Sequence, residues 1–371
     1  TTKSVRNLSE ITLQFAERKE ESLARRTVQD ISDVKKLKCY AKQIDQSLSC
    51  PFGHITEDAI GKARDILGAC EKNVQELEKV LAKENHTDAD VLKVLDATRS
   101  LTSEFYNTFP STEFEYGSVR ILENLDEINR ARECLNRMSE VEVATRLLTA
   151  SAYRKDVDRI SYIMEGLECR FTEMTPLDAM SQKILRFIYA TGGSCWKIKG
   201  ILALTPRSAT INFDKYCNDE NQMYLWHGTK AVNLMSILKD GFLVNPPHSS
   251  ITGRLFGDGV YLADSFEKST HYCEASASGL NYMLLCRTAL GKCYSLNSWK
   301  YNWGDEMPKG YDSLHVVGKK RPLSSITENG VMMPLTDFST YPSPNYATLE
   351  FSEYIVRESD RVLPQYLVIY Q

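Results

Sequence analysis

The sequence predicts an α+β protein, with an all-α helical bundle first and a mixed, mainly antiparallel β-sheet domain after it. Three observations carry this expectation. Up to about residue 150, apolar residues recur at steps of three and four, the helical period. From about residue 195 the pattern changes to short strand-like runs punctuated by Gly, Pro, Asn and Asp. The length of 371 residues sets a prior of about two domains, each large enough for its own core.

In chain order, Thr56 is a good N-cap for a long amphipathic helix whose buried stripe is Ile60, Ala63, Leu67, Cys70, Val74, Leu77 and Leu81. "TDAD" at Thr87 and "SEVE" at Ser139 both match a capping box, in which a hydroxyl and a later carboxylate satisfy free N–H groups, so each predicts a helix start. Val91, Leu95, Thr98, Leu101 and Phe105 follow Thr87, and Ile128, Ala131, Leu135 and Met138 follow Asn124. These stripes read as bundle core, and no cluster of catalytic residue types accompanies them. The segment from Thr149 to Gly193 is mixed. Beyond it, "YMLLCRTAL" at Tyr282, "KCYSL" at Lys292 and "EYIVRESDRVLPQYLVIY" at Glu353 read as strands. The expected organisation is an N-terminal segment over 1–25, a helical domain over 26–154 and the sheet domain over 155–371.

Composition is that of a globular chain, with 42% hydrophobic and 25% charged residues. A net charge of -4 argues against a nucleic-acid grip, which needs a basic face. "KKLK" at Lys35 and "GKKRP" at Gly318 read as solvated charge. Ten cysteines occur with no C-x-x-C pair, so no metal site is expected and the thiols read as reduced, mostly buried and intracellular. No apolar run approaches the ~20 residues of a membrane span, so no membrane partner is expected. The first residue is Thr, which suggests a piece of a longer protein.

Four stretches bear chemistry. In "YLWHGTKAVNLMSILKDGF" from Tyr224, a strand ends near His227 and a helix carrying Val232, Met235, Ile237 and Leu238 follows, with Thr229 as its candidate cap. Gly228 has no side chain, which lets a flat polar group approach its backbone N–H and C=O. By itself the tripeptide reads better as a turn histidine satisfied by backbone, and only the further motifs overturn that reading. "FGDGVYLAD" resembles a dinucleotide glycine signature only superficially, because a strand rather than a helix follows it, and Tyr261 alone reads as core. In "SFEKSTHYC" from Ser265, Ser269 and Tyr272 are at i and i+3 of a helix start, presenting a hydroxyl and a ring together. In "LEFSEYIVRES" strand alternation places Phe351, Glu353 and Ile355 on one face; a carboxylate in so apolar a strand needs either a salt-bridge partner or a water-filled cleft.

Taken in order, "LWHGT", "FGDGVYLAD", "SFEKSTHYC" and "FSEYIV" resemble the His, Tyr and Glu motifs of the poly(ADP-ribose) polymerase catalytic domain, an ADP-ribosyltransferase fold. The spacing resembles the DNA-dependent nuclear members. "PFGHIT", "LTSEFYNTFP" and "ILENLDEINRARECLNRMSEVEVATRLL" in the first half look like their regulatory helical domain. The resemblance covers roughly residue 26 to the end. It implies an enzyme that uses NAD as ADP-ribose donor, without a metal, and releases nicotinamide. His227 would bond a ribose hydroxyl, Gly228 would clamp the carboxamide, and Ser269 would add a third bond to that amide. Tyr261 and Tyr272 would sandwich the ring. Glu353 would bond the 2′-hydroxyl of the nicotinamide ribose and stabilise an oxocarbenium-like centre. His227, Tyr261 and Glu353 thus form the implied catalytic set, with Thr229, Asn233, Ala263 and Lys268 among the NAD-binding positions. Asn233 would lie near the adenosine ribose and Lys268 on the acceptor side.

The implied partners are acceptor proteins and growing poly(ADP-ribose), with DNA breaks sensed by upstream modules and a nuclear location. A mono-ADP-ribosyltransferase and a catalytically silent NAD or ADP-ribose binding module are the alternatives; the position of Glu353 at the departing bond argues against the silent one. The chain departs from the best-known nuclear members at Leu243, Arg254 and Asp258, where those members carry Arg, Tyr and Lys. These departures bear on pyrophosphate contacts and acceptor handling rather than on catalysis.

Overall fold

The computed structural model describes residues 22–33, 56–83, 85–109, 121–154, 156–244, 255–296, 307–322, 324–335, 338–340 and 349–371. It divides into two compact units. One comprises residues 1–33, 151–248 and 255–371, and the other residues 34–150 and 249–254.

Helix α1 (Leu23–Ile31) belongs to the first of these units, although it precedes the bundle in sequence. The second unit is built on α2 (Glu57–Leu81), α3 (Asp88–Thr108) and α4 (Leu125–Tyr153), the last of which ends in the other unit. Thr56 caps α2 through the Ala59 N–H, and Thr87 forms the expected capping box with Asp90. Ile60, Ala63, Leu67, Cys70 and Val74 are buried against Phe105, Leu122, Ile128 and Leu135. Leu81, the last residue of the expected stripe, is 52% exposed.

Ser139 does not start a helix. It lies inside α4, whose 29 residues run through the "SEVE" sequence without a break. The apolar stripe continues on both sides of Ser139, through Met138 to Val143, Ala144 and Leu147, all buried, and Glu142 is engaged by Arg146 at 2.9 Å rather than by a cap. Tertiary burial outweighs a local capping preference worth about 1 kcal/mol. The true start is at Asn124, whose side chain accepts from the Glu127 N–H at 2.9 Å.

The sheet unit continues with α5 (Arg159–Gly166), β1 (Cys169–Glu173), α6 (Ala179–Ala190), β2 (Ile198–Pro206), α7 (Arg207–Phe213), β3 (Gln222–Gly228) and α8 (Leu234–Asp240). Then come β4 (Val260–Leu262), α9 (Phe266–Thr270), β5 (Asn281–Ala289), β6 (Cys293–Leu296), β7 (Ser313–Val316), β8 (Lys320–Pro322) and β9 (Ser325–Glu328). The chain closes with β10 (Val331–Pro334), β11 (Phe338–Thr340), β12 (Glu353–Val356) and β13 (Val362–Tyr370). A seven-stranded sheet has the order β1-β2-β13-β5-β3-β10-β9, and a four-stranded sheet the order β4-β12-β7-β6. Pairing is antiparallel except at β10–β3 and β6–β7. This is the mixed, mainly antiparallel α+β architecture that the change of pattern near residue 195 predicts.

Trp226 sits at the centre of this unit and is fully buried. Its ring lies 4.9 Å from Phe187 of α6 and 5.1 Å from Phe266 of α9, and Phe266 packs 5.2 Å from Tyr370 of β13. Each such aromatic contributes about 1.5–3 kcal/mol by leaving water. Among the described residues Cys70, Cys134, Cys169 and Cys286 are free and buried, whereas Cys195 is exposed. The expectation of mostly buried thiols therefore holds for only part of the set.

Candidate active site

The two sheets meet where β3 ends. Trp226 and Ala263 exchange backbone hydrogen bonds of 2.8 and 2.9 Å, a bridge that joins the large sheet to the segment following β4. This brings the expected histidine and tyrosine together: the Nδ1 of His227 lies 2.9 Å from the Tyr261 carbonyl. A carbonyl oxygen can only accept, so Nδ1 carries the proton. Burial lowers the pKa of His227, against the pull of that carbonyl, and keeps the ring neutral near pH 7. Nε2 is then a bare acceptor, suited to a hydroxyl donor. Phe242 packs edge-on against the imidazole at 4.7 Å and fixes its plane. Leu243 follows and is 49% exposed.

Gly228 is demanded by its surroundings. A Cβ there would lie 1.9 Å from the Ser269 carbonyl oxygen and 3.2 Å from Tyr272 Cβ. The helix that supplies Ser269 is held by its own cap and by a neighbour: Ser265 accepts from the Lys268 N–H at 3.1 Å, and the Thr191 hydroxyl at the end of α6 accepts from the Phe266 N–H at 3.1 Å. Buried Ser269 directs its hydroxyl to the Trp226 carbonyl at 3.4 Å. Tyr272 falls just past α9, so it is not on a shared helical face with Ser269; the two meet instead around Gly228. Tyr272 is 56% exposed, so part of a large aromatic side chain stands open to solvent beside Gly228.

Tyr261 is tied at its far end. Its hydroxyl donates to the Gly257 carbonyl at 2.8 Å and accepts from the Phe256 N–H at 3.1 Å. The ring is thus locked before any ligand arrives. Thr229 does not cap the following helix: its hydroxyl accepts from the Asn233 amide at 3.3 Å, while the turn and α8 that follow have no side-chain cap. The short 3-10 turn over Ala231–Asn233 displaces the start of α8 and explains why the cap signal misleads.

Glu353 opens β12, which runs between β4 and β7 and places Ile355 opposite Tyr261. Of the two expectations for its charge, the structure shows the salt-bridge partner, Lys268. Nζ of Lys268 lies 2.7 Å from Oε1 of Glu353, with the two side chains 12% and 11% exposed. Nζ also donates to the Ser352 carbonyl at 3.2 Å and the Phe351 carbonyl at 3.4 Å. Burial lowers the Lys268 pKa and the Glu353 charge opposes it. Tyr272 responds to the same carboxylate, since burial and then the Glu353 charge push its phenol upward. His227, Gly228, Tyr261, Ala263, Lys268, Ser269, Tyr272 and Glu353 are therefore linked through contacts or charge, while Thr229 and Asn233 pair with each other beyond Gly228.

One group is not anticipated from the motifs. Asp264, the last residue of "VYLAD", is buried, and burial raises its pKa to about 7 against the nearby Lys268 charge. Tyr354 donates to it at 3.5 Å, and His315 stacks on Tyr354 at 4.3 Å. A carboxylate after an apolar strand carries no periodic signal, so only the neighbouring ammonium marks it. Asp258 is partly buried, and Arg254 lies outside the described residues.

Two family models match the chain: the poly(ADP-ribose) polymerase catalytic domain over residues 181–371 and the poly(ADP-ribose) polymerase regulatory domain over residues 24–163. The chain is 44% identical to the poly [ADP-ribose] polymerase tankyrase of Caenorhabditis elegans over 98% of its own length and 17% of that protein. It is 32% identical to poly [ADP-ribose] polymerase 2 of Zea mays over 76% of the chain and 44% of the relative. With poly [ADP-ribose] polymerase 2-A of Oryza sativa subsp. japonica the identity is 29% over 86% of the chain and 47% of the relative. The chain thus spans less than half the length of each of these relatives.

Proposed function

Because the chain belongs to the poly(ADP-ribose) polymerase family and carries both its catalytic and its regulatory domain, we propose that it transfers ADP-ribose from NAD to protein acceptors, elongates the product into poly(ADP-ribose) and releases nicotinamide. The observation that carries this reading is the buried Glu353 carboxylate, held by Lys268 beside the Tyr261 strand. A pure binding module has no use for a desolvated charge there, whereas a departing nicotinamide leaves positive charge that a fixed carboxylate stabilises.

The site residues fit NAD. The missing side chain of Gly228 lets the Ser269 carbonyl pack against this backbone, which brings α9 beside the end of β3, where the backbone N–H and C=O of Gly228 and the Ser269 hydroxyl would take the nicotinamide carboxamide. Tyr261, already fixed by Gly257 and Phe256, provides one wall for the nicotinamide ring, and the half-exposed Tyr272 ring the other. Nε2 of His227 accepts from a ribose hydroxyl. Glu353 accepts from the 2′-hydroxyl of the nicotinamide ribose and also orients the attacking hydroxyl of the acceptor. Lys268 holds the Glu353 carboxylate aligned. Thr229, Asn233 and Ala263 complete the NAD-binding set, with Asn233 toward the adenosine ribose.

Polymer formation, a nuclear location and a response to DNA breaks sensed outside this chain form the finer part of the proposal. They rest on the motif spacing, and the similarity to a protein named tankyrase weighs against a narrow subfamily assignment. Incubation of the chain with labelled NAD, followed by gel separation of the modified protein, tests the reading: a ladder of long products supports a polymerase, and a single discrete increment supports transfer of one unit.

A further inference from the structure

From Ala24 on, helix α1 falls within the regulatory-domain match, which begins at residue 24, yet it packs in the same unit as the sheets. The docking is close. A Cβ at Gly200 of β2 would lie 2.4 Å from Leu23 Cδ2; the Ala24 N–H donates to Glu173 of β1 at 3.3 Å; Arg25 pairs with Asp158 at the start of α5 at 2.6 Å. At the other end of α1, one carboxylate collects four donors. Asp30 Oδ2 accepts from the hydroxyls of Ser276 at 2.5 Å, Ser278 at 2.7 Å and Tyr282 at 2.5 Å, and Oδ1 accepts from the Ser278 N–H at 3.3 Å.

Of the residues so gathered, Ser276 and Ser278 lie on the connection between Tyr272 and β5, and Tyr282 lies in β5 itself. Ser276 closes this connection into a turn, with its N–H on the Leu280 carbonyl at 2.8 Å and the Leu280 N–H on its hydroxyl at 3.3 Å. Between Tyr272 and the turn, Glu274 bridges to Lys230, two residues beyond Gly228, by a backbone pairing and an ion pair of 3.3 Å. Without Asp30, three hydroxyls and an N–H lose a carboxylate acceptor, and the segment from Tyr272 to β5 keeps the Tyr272 N–H on the Ser269 carbonyl at 3.2 Å, the Cys273 thiol on the Ser269 and Tyr282 carbonyls at 3.6 and 3.4 Å, the Lys230 contact and the turn's own hydrogen bonds.

We propose that Asp30 is a positioning residue for the ring-stacking side of the pocket: by tying the Ser276–Leu280 turn and the start of β5 to α1, it holds the segment that carries Tyr272 in place against Gly228. The inference rests on the reading of this pocket as the nicotinamide site. It assigns α1 a role in forming that site, one that a cut at the start of the sheet domain would remove.

The test uses the whole chain with Asp30→Ala, and with Asp30→Asn should the first not fold. Nicotinamide release is measured against NAD concentration. The proposal expects KM for NAD to rise about tenfold with kcat within about threefold, because ring placement is lost while the Glu353 chemistry is kept. Ser276→Ala should move KM in the same direction and Ser276→Thr, which keeps the hydroxyl, should restore it. Hydrogen exchange over residues 272–282, measured without NAD, should quicken in Asp30→Ala. An unchanged KM in a folded Asp30 variant, or quickened exchange confined to residues 23–31, overturns the proposal. If the unaltered chain releases no nicotinamide, the NAD reading itself fails; the exchange experiment still shows whether Asp30 fixes the turn.

Discussion

The ammonium of Lys268 and the carboxylate of Glu353 form a 2.7 Å ion pair between the short helix after β4 and the start of β12, almost out of contact with water. A buried pair is weak evidence for stability, since desolvation offsets most of the attraction, but removal of one partner leaves the other stranded. Lys268→Met should therefore lower the unfolding free energy by about 3–5 kcal/mol. The double variant with Glu353→Gln should recover part of the loss, which denaturant titration of the four proteins in a cycle would measure.

At Gly228 the limit is steric. With the Ser269 carbonyl 1.9 Å from the position of an added Cβ, neither strand nor helix can yield without moving backbone. Gly228→Ala should cost about 1–3 kcal/mol in stability and weaken NAD binding well beyond that of a matched surface variant. Calorimetric titration with NAD alongside thermal unfolding separates the two effects.

Asp264 makes a pH prediction. Its folded pKa of about 7 lies above the ordinary carboxylate value of 3.8, so between those limits the folded state binds the extra proton. Stability from this group is therefore fully present below about pH 4 and is lost as pH rises through 7, the reverse of a paired carboxylate. Asp264→Asn, which still accepts from Tyr354, should raise Tm at pH 8 and change it little near pH 4. A larger gain at the acid end would mean that Asp264 is ionised and paired in the fold.

Leu243 adjoins the Phe242 ring that steadies His227, and it is half-exposed. An arginine there would offer charge-assisted hydrogen bonds to the anionic donor, each worth about 1.5–3 kcal/mol when well formed. Leu243→Arg should tighten NAD binding about tenfold and leave product length alone, as titration and gel analysis would show.

The bundle was legible because its capping and its stripe agree: Thr87 with Asp90, and Ile60 through Val74 buried as their spacing requires. The "SEVE" signal at Ser139 failed because burial continued on both sides of it. Of the site, Gly228 and Glu353 were readable from chemistry, a missing side chain beside a histidine and a charge in an apolar strand. The role of Lys268 as partner was not, because the two are brought together only by the approach of α9 to β12. Asp30 was invisible for the same reason: the nearest residue its side chain binds is 246 positions away, and Ser276 and Ser278 look like ordinary turn residues while Tyr282 looks like an ordinary strand residue.

The most direct measurement is nicotinamide release from NAD by this chain and by Glu353→Gln, with NAD binding measured in parallel. The account predicts release by the unaltered chain together with covalent ADP-ribose on protein, and a fall of at least about a hundredfold in the variant while its NAD affinity stays within a few-fold, as expected when charge on the reacting centre is removed and shape is kept. Undiminished release by Glu353→Gln, or no release by a folded chain that binds NAD, would contradict it.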